Sequence, residues 1–301
     1  MSDKEREIEQ RMITMFLGYK YRKQHDLLYS EESDVPRILI TDYYSDKITR
    51  IDPSIINQGF VERYIRNESA MENVHDPSEI KGLEVMYEDM TNMKFNEFEM
   101  FSIMQLHRDL YSKCPHPECA GIIRNQDVFL PGSGVDLCNY SCCFDRLLEL
   151  EDVVNELKKF AVYLKETNDY IDKPYDYKNS NIFLYIERCV KLKCDLIKVH
   201  PFNDGNGRTI RCFINKLFEE AGIPPVYIKV EEKVEYTRAM QEALTEGQFK
   251  DIINFYLYKI CDSIIELDIN KRVRQEKLEG KYETKKKNKK KKNGYHAIKT
   301  G

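Results

Sequence analysis

No run of apolar residues in this 301-residue chain approaches the roughly 18 residues that a membrane-spanning helix needs. The opening stretch, MSDKEREIEQRM, is highly charged and lacks the apolar core and small-residue cleavage site of a secretory signal. We therefore expect no membrane span and a cytoplasmic location. The 42% hydrophobic and 33% charged residues are ordinary for a globular protein of one large domain or two modest ones.

The cysteines lack the even count of a disulfide framework. There are nine of them, and several fall within apolar helical patterns, which favours reduced thiols. A group of soft metal ligands brackets a short segment near the middle of the chain, with spacing that is loose for a zinc knuckle. Its members are Cys114, His116, Cys119, Cys138, Cys142 and Cys143. We interpret them as unligated thiols, with structural Zn²⁺ as the alternative.

Negative charge exceeds positive charge except at the C-terminal end. The formal net charge is −4, yet residues 281–301 hold nine lysines against one glutamate, so the rest of the chain is acidic. An acidic body argues against a nucleic-acid-binding surface. The run KKKNKKKK at 285–292 repels itself too strongly to pack, which predicts a disordered tail. Contact with nucleic acid or anionic lipid through this tail is the alternative.

The sequence also has little β pattern, and its apolar residues recur mostly at helical spacing. The one β candidate is GIIRNQDVFLPGSG at 121–134, which predicts a small hairpin ending in a Pro-Gly-Ser-Gly turn. The polar stretch NESAMENV at 67–74 predicts a joint between the first two helices. The predicted helices cover 51–65, 76–90, 95–111, 147–164, 182–199, 209–221, 234–244 and 249–267. The expected class is all-α with one small β-hairpin.

The stretch HPFNDGNGR, from His200 to Arg208, carries the chemistry of this sequence. Glycines on either side of Asn206 let the backbone approach a ligand, and the following helix adds its positive N-terminal end, which together form an anion nest. Arg208 and Arg211 lie three residues apart, on one face of the first turn, where two guanidinium forks suit a polyphosphate.

Two further side chains of this stretch complete a catalytic set. Asp204 is a carboxylate beside the nest, and Mg²⁺ binds through one or two carboxylates together with substrate phosphates. His200 is the nearby side chain whose ordinary pKa suits proton abstraction near neutral pH. A base, a metal site and a phosphate cradle indicate phosphoryl or nucleotidyl transfer.

HPFNDGNGRTIR resembles the signature of the Fic family, and every signature position is filled. The segments LHRDLY, INKLFEEAGIPPVYI and EYTRAMQEAL also look like matching parts of Fic domains, so the resemblance spans roughly residues 57–267. It implies a Fic-fold helical bundle with a β-hairpin flap. It also implies transfer of AMP from ATP to a Ser, Thr or Tyr hydroxyl of a target protein.

The resemblance also implies a role for each residue of the motif. His200 would take the proton of the attacking hydroxyl, and Asp204 would hold Mg²⁺ between the α- and β-phosphates. The nucleotide would be bound by the remaining motif residues and by one tyrosine: Phe202, which anchors the loop, the cradle Gly205, Asn206 and Gly207, the arginines Arg208 and Arg211, and Tyr236. The related kinase-like toxins have a lysine in place of Gly207, which disfavours that branch.

The hairpin would act as the family's flap, which clamps the target segment by adding it as a strand. The flap residues are Asp127, Val128, Phe129 and Leu130. Two departures affect the adenine pocket: Tyr236-Thr237 stands where two tyrosines are common, and Leu244-Thr245 stands where an asparagine is expected. The donor base therefore stays open, with UTP, GTP or CDP-choline as alternatives to ATP.

NESAMENV is similar to the inhibitory motif of Fic proteins that carry their own brake. Glu72-Asn73 fits the end of that motif, whereas its Ser or Thr position holds Glu68, with Ser69 one residue late. The resemblance implies that Glu72 pairs with Arg211 and withdraws it from the γ-phosphate, which would leave the ground state weakly active.

These inferences divide the chain into an N-terminal segment (1–50), an inhibitory helix region (51–93), a Fic catalytic core (94–270) and a disordered Lys-rich tail (271–301). The expected function is a self-inhibited protein adenylyltransferase that uses ATP and Mg²⁺ and modifies another protein or itself. Removal of AMP, transfer of a different nucleotide, and a non-catalytic interaction module remain alternatives. The target protein and any homo-oligomer are left open.

Overall fold

The computed structural model describes residues 35–45, 58–115, 117–130 and 132–278, and these ranges are helices joined by loops and short turns. Among these ranges no residue is in a β-strand, which confirms the predicted helical class. No helix in them is long and apolar enough to cross a membrane. The helices are α1 Val35–Ser45, α2 Gln58–Met71, α3 Pro77–Asn92, α4 Ser102–Leu110, α5 Cys143–Thr167, α6 Asn181–Val199, α7 Asn206–Glu220, α8 Lys233–Glu246 and α9 Lys250–Leu278.

Helix α7 is the centre of the fold and packs against α3, α4, α5 and α6. Its apolar residues, including Ile210, Phe213 and Leu217, are fully buried. Its first turns also bury the charged residues Arg208 and Arg211. Because a buried charge is costly unless it is paired, neighbouring elements must supply acidic partners for these arginines.

The long helix α9 closes the opposite side of the core, where it packs against α1, α6 and α8. Helix α1 is tied to the loop after α7, because the Tyr44 hydroxyl donates to the Gly222 carbonyl at 2.9 Å. The ring of Tyr44 stacks on that of Tyr170 at 4.7 Å. The Tyr170 hydroxyl donates in turn to the Ala221 carbonyl at 2.8 Å. These contacts fix the C-terminal end of α7.

Most predicted helices correspond to observed ones, with shifted ends. Helix α3 begins as its Asp-Pro pair predicts, since the Asp76 carboxylate accepts from the Ser78 amide at 2.7 Å. The predicted helix at 95–111 is wrong in its first half, where turns precede α4. The Met100 amide there donates to Glu151 of α5 at 3.0 Å instead of to a helical carbonyl.

The N-terminal helix boundary differs most from the prediction. Residues 51–57 of the first predicted helix lie outside the described residues, and α2 then continues to Met71. The joint predicted at 67–74 is therefore helical through its first five residues, and Glu68 and Ser69 within it are buried. The Ser69 hydroxyl donates to the Ile65 carbonyl at 2.8 Å, as a serine inside a helix does.

The predicted β-hairpin is absent from the described part of segment 121–138. The segment makes a turn at its tip, closed by the Ser133 amide and the Leu130 carbonyl at 3.2 Å, but its two arms do not pair. The arms are bonded to α6 and to the loop after it instead: the Cys138 amide donates to the Lys198 carbonyl in the last turn of α6 at 2.9 Å, and the Arg124 amide donates to the Pro201 carbonyl in the loop at 2.8 Å. These bonds hold the arms apart.

At the other end of the chain, α9 runs to Leu278 and so includes residues 271–278, which the sequence analysis assigns to the tail. The lysine run at 285–292 lies outside the described residues, as does most of the predicted N-terminal segment 1–50.

Candidate functional site: an anion loop between two helices

His200 ends helix α6 and begins the loop. Its backbone has a φ of 48°, in the left-handed region, and its amide donates to the Leu196 carbonyl. Its Nδ1 lies 3.3 Å from the Ile197 carbonyl oxygen. Because a carbonyl only accepts, this contact assigns the proton to Nδ1 and leaves a lone pair on Nε2. Burial lowers the pKa of His200 below its ordinary value, which favours the neutral base near pH 7.

Arg124 holds the end of α6 in place and was not among the predicted site residues. It is almost fully buried, and its Nε donates to the His200 carbonyl at 2.7 Å. Its terminal nitrogens reach the carbonyls of Gln126, Cys138 and Val199. A guanidinium with five donors thus satisfies carbonyls that a helix end leaves without partners. Only the fold reveals this role, since its acceptors are backbone atoms.

The loop after His200 is held by its own side chains and by α4. Asn206 donates to the Phe202 carbonyl at 2.7 Å and accepts from the Phe202 amide at 2.9 Å. Phe202 is fully buried and stacks on the His107 ring at 3.8 Å. Asn206, whose backbone is predicted to cradle phosphates, thus uses its side chain to bond the loop itself, and Phe202 lies in the core.

His107, also missed by sequence reasoning, fixes the loop from α4. Its Nδ1 accepts from the Gly121 amide at 2.8 Å, so its Nε2 donates to the Asp204 carbonyl at 3.0 Å. Burial lowers the pKa of His107 to about 4, so the ring stays neutral and keeps this arrangement. The position of Asp204 is thus set through its backbone.

The anion nest lies where the loop enters α7. Gly205 has a φ of 73°, a conformation that glycine adopts without strain. Helix α7 follows at once, and the amides of its first turn have no carbonyl partner within the helix. These amides and the positive helix end can bind an anion.

Arg208 is buried beside the nest and is paired with an upstream acid. Its Nη1 donates to Glu79 of α3 at 2.7 Å, and its Nη2 donates to the Tyr111 hydroxyl at 3.2 Å. The Tyr111 hydroxyl in turn donates to Asp204 Oδ2 at 2.9 Å. Tyr111 therefore links the predicted metal ligand to a predicted phosphate ligand, a bridge that requires residues about a hundred positions apart.

Arg211 is held by two carboxylates at once. Its Nη2 donates to Glu72 Oε1 at 2.8 Å, and its Nε donates to Glu68 Oε2 at 2.7 Å. Burial opposes ionisation of Glu72, but the charge of Arg211 outweighs it and holds the pKa of Glu72 below the ordinary value. For Glu68, burial prevails and raises the pKa. The sequence analysis expects the contact of Glu72 with Arg211 but not the contact of Glu68 with Arg211.

The Glu72 carboxylate lies beside Gly207 of the nest. A Cβ atom added at Gly207 would lie 2.6 Å from Glu72 Oε1 and 3.0 Å from Arg211 Nη1. A carboxylate oxygen therefore lies over the first turn of α7, where an anion would bind. Helix α2 ends at Met71, directly before Glu72. Asn73 follows with a φ of 56°, and the Val74 amide donates to the Ser69 carbonyl at 2.8 Å, which closes the end of the helix.

Glu72, the motif loop and part of the flap segment line one open cleft of about 260 Å³. Val128, Phe129 and Leu130 border it, and Phe129 is 85% exposed. Asp127 is not among the residues that line this cleft, and its carboxylate accepts from the Tyr140 amide at 2.9 Å. Tyr236 is also separate from this lining: its hydroxyl accepts from buried Lys193 at 2.7 Å.

The residues present fit a magnesium ion only in company with phosphates. Asp204 is 75% exposed at the edge of the nest and offers one carboxylate, and no group of three acidic, His or Cys side chains gathers within the described ranges. This is the donor set of Mg²⁺ sites completed by substrate oxygens. The cysteines of the possible zinc cluster likewise form no metal group there, and His116 lies outside the described residues. Cys138 and Cys143 contact each other at 3.6 Å as free thiols.

The fold and the site define a helical protein whose loop between two helices is suited to a phosphate-like anion, with a histidine at the edge of that loop. Residues 97–218 match the Fic/DOC family, which confirms the resemblance. Residues 97–218 of this chain are therefore assigned to the Fic/DOC family.

Curated relatives agree with this match. The chain is 27% identical over 154 residues to "Protein adenylyltransferase fic-1" of Caenorhabditis elegans, covering 51% of this chain and 26% of the relative. It is 26% identical over 187 residues to "Protein adenylyltransferase Fic" of Nematostella vectensis, covering 61% and 38%. The chain thus spans well under half the length of these relatives.

Solved structures share the fold. A Fic-1 fragment from C. elegans superimposes with a TM-score of 0.55 at 16% identity, covering 84% of this chain and 86% of the fragment. A Fic-domain protein from Bacteroides thetaiotaomicron gives a TM-score of 0.56 at 15% identity, covering 77% and 95%.

Proposed function

We propose that this protein is a protein adenylyltransferase that transfers AMP from ATP to a hydroxyl side chain of a target protein, and that Glu72 restrains it. The two curated relatives described above carry the name adenylyltransferase. The observation that carries the proposal is that one loop combines an anion nest with His200, whose lowered pKa favours the neutral ring, while the Glu72 carboxylate lies over Gly207 of that nest. Such a nest selects phosphates, and the histidine suits proton removal from a hydroxyl.

The reaction follows from these groups. The target hydroxyl oxygen attacks the α-phosphorus of ATP while its proton passes to Nε2 of His200. The bond between the α-phosphorus and the oxygen leading to the β-phosphate breaks, and pyrophosphate leaves. The amides of the nest and the guanidinium groups of Arg208 and Arg211 stabilise the charge that develops on the departing group.

Asp204 would hold Mg²⁺ together with the nucleotide phosphates. When bound, the ion neutralises charge on the leaving pyrophosphate. Tyr111 and His107 orient Asp204 through its carboxylate and its carbonyl, which fixes the metal ligand relative to Arg208.

The target would bind along the extended segment at Val128 and Phe129. Within the described residues the backbone groups of these two residues make no hydrogen bonds, so they can pair with an added strand. Recognition through backbone groups tolerates many target sequences. We therefore propose that the target is defined by an accessible hydroxyl in an extended segment.

The restraint would act through space as well as charge. Glu72 takes one nitrogen of Arg211 and fills the position over Gly207. ATP that binds while Glu72 stays in place cannot seat its terminal phosphates, so the α-phosphorus would not align for attack.

The test uses a Glu72→Gly variant with Mg²⁺ and ATP labelled either on the α- or on the γ-phosphate, in the presence of a cell lysate. We expect protein-bound label from α-labelled ATP only, and its loss in a Glu72→Gly, His200→Ala double variant. Label from the γ-phosphate would indicate phosphoryl transfer instead, and label that survives loss of His200 would contradict the role of the base.

The donor base is tested in the same assay. Competition by unlabelled ATP, GTP, UTP and CTP, each at equal concentration, reports which base the pocket prefers. We expect ATP to compete best. Stronger competition by another triphosphate would replace AMP with that nucleotide in the proposed reaction.

A further inference from the structure

Glu68 is a fully buried carboxylate with one charged partner. Its side chain is 0% exposed, its Oε2 accepts from Arg211 Nε at 2.7 Å, and its Oε1 has no hydrogen-bond partner among the described residues. Burial of a carboxylate is costly unless a counter-charge is in contact. In the inhibitory motif that this segment resembles, the position of Glu68 is a serine or threonine.

The two acids contact different edges of the same guanidinium. Glu72 bonds Nη2 and is 36% exposed, so it can withdraw into the cleft. Glu68 bonds Nε from within the packed side of α2 and cannot leave without unpacking the helix. Arg211 Nη1 lies near Gly207, over the first turn of α7. The guanidinium is therefore already directed at the anion nest, with Glu68 on its inner edge and Glu72 on its outer edge.

We propose that Glu68 is a positioning residue: it holds Arg211 over the nest after Glu72 withdraws, so that both Nη groups remain available to the terminal phosphates. The proposal rests on the proposed function for the identity of the phosphate ligand. Arginine has many rotamers, and a fixed contact at Nε reduces the ordering that phosphate binding requires.

A competing role for Glu68 also has a simple physical basis, and it predicts a change of the ATP Kd in the opposite direction. A carboxylate that stays beside Arg211 also lowers the positive potential that a phosphate experiences. If that effect dominated, Glu68 would be a second competitor of the nucleotide, and its neutralisation would tighten binding.

The test measures calorimetric Kd values of ATP and AMP, each with Mg²⁺, in a Glu72→Gly, His200→Ala parent that cannot turn over. Glu68→Leu removes the acceptor, whereas Glu68→Gln keeps an oxygen that can accept from Nε. We expect Glu68→Leu to weaken ATP binding about tenfold, as for loss of a hydrogen bond to a charged group. We expect Glu68→Gln to stay within about twofold of the parent, and AMP, which lacks the terminal phosphates, to bind all three proteins equally.

Tighter ATP binding in Glu68→Gln or Glu68→Leu would overturn the proposal in favour of competition. Unchanged ATP binding in Glu68→Leu, or equal weakening for AMP and ATP, would overturn it in favour of a purely structural role. Thermal unfolding followed by circular dichroism reports whether each variant folds. If Glu68→Leu does not fold, Glu68→Ser takes its place, with the same expected loss.

Failure of the proposed function has a separate readout. In that case the Glu72→Gly protein with His200 intact would transfer no label from ATP, while the difference between ATP and AMP binding across the Glu68 variants would still be measurable.

Discussion

Removing the Glu72 carboxylate should strengthen productive ATP binding by an amount that the contact itself sets. The lost interaction is one charge-assisted hydrogen bond, 2.8 Å long, between Glu72 and Arg211. Hydrogen bonds to charged groups contribute about 1.5–3 kcal/mol. Because the Glu72 side chain is 36% exposed, solvent screening favours the lower end of that range. About 1.5 kcal/mol corresponds to roughly a tenfold change in affinity.

We therefore expect Glu72→Gly to lower the Kd for ATP about tenfold and to raise the initial rate by a similar factor when ATP is limiting. Calorimetry gives the affinity, and incorporation of α-labelled ATP gives the rate. Glu62→Ala is the matched control, because Glu62 is an exposed acid on α2, the helix that directly precedes Glu72. Since Glu68 still pairs with Arg211 in the variant, the thermal unfolding midpoint should change little.

Unchanged ATP affinity in Glu72→Gly, or an equal gain in Glu62→Ala, would refute the reasoning.

The contact between Glu72 and Arg211 should also resist acid. The pKa of Glu72 is held below its ordinary value of 4.5, so its share of stability is present above that value and is lost only as the pH falls through the lowered pKa. Acidification to about pH 5.5 should not release the restraint.

Three further outcomes are expected. The kcat of Glu72→Gly should stay level from about pH 8 to 6.5 and fall at lower pH, because burial lowers the pKa of His200; an inflection above about pH 7 would contradict this. Tyr111→Phe, which removes the hydroxyl bonded to Asp204, should raise the Mg²⁺ concentration for half-maximal rate several-fold, and an unchanged Mg²⁺ titration would count against the bridge. Arg124→Met should lower the free energy of unfolding in urea by about 3 kcal/mol, since several buried carbonyls lose their donor. A loss under about 1 kcal/mol would show that other groups replace Arg124 as the donor.

The motif could be predicted from the sequence because its chemistry is local. A stretch of nine residues, from His200 to Arg208, contains the histidine, the acid and the glycines, and helix α7 begins within this stretch. Helical spacing likewise predicts most of the helices, since each buries one continuous apolar stripe.

The remainder of the site depends on contacts between distant segments. Glu68 looks like part of a polar joint, and only the position of Arg211, 143 residues later, makes a buried carboxylate there favourable. The same applies to Arg124, whose acceptors are backbone carbonyls, and to His107, which bonds a carbonyl 97 residues away. The hairpin prediction was wrong for a related reason: bonds from its arms to the end of α6 and to the loop after it replaced bonds between the arms.

The contact between Glu72 and Arg211 joins two parts of one polypeptide. Under the proposed restraint, Glu72 would therefore act as a tethered competitor, whose effective concentration at the nest is set by the chain and not by the amount of protein. Dilution cannot relieve it, and a nucleotide must exceed a fixed local threshold to replace it. Because Glu72 directly follows the last residue of α2, a partner that unwinds the final turn of that helix would lower this threshold for every nucleotide that can bind the nest.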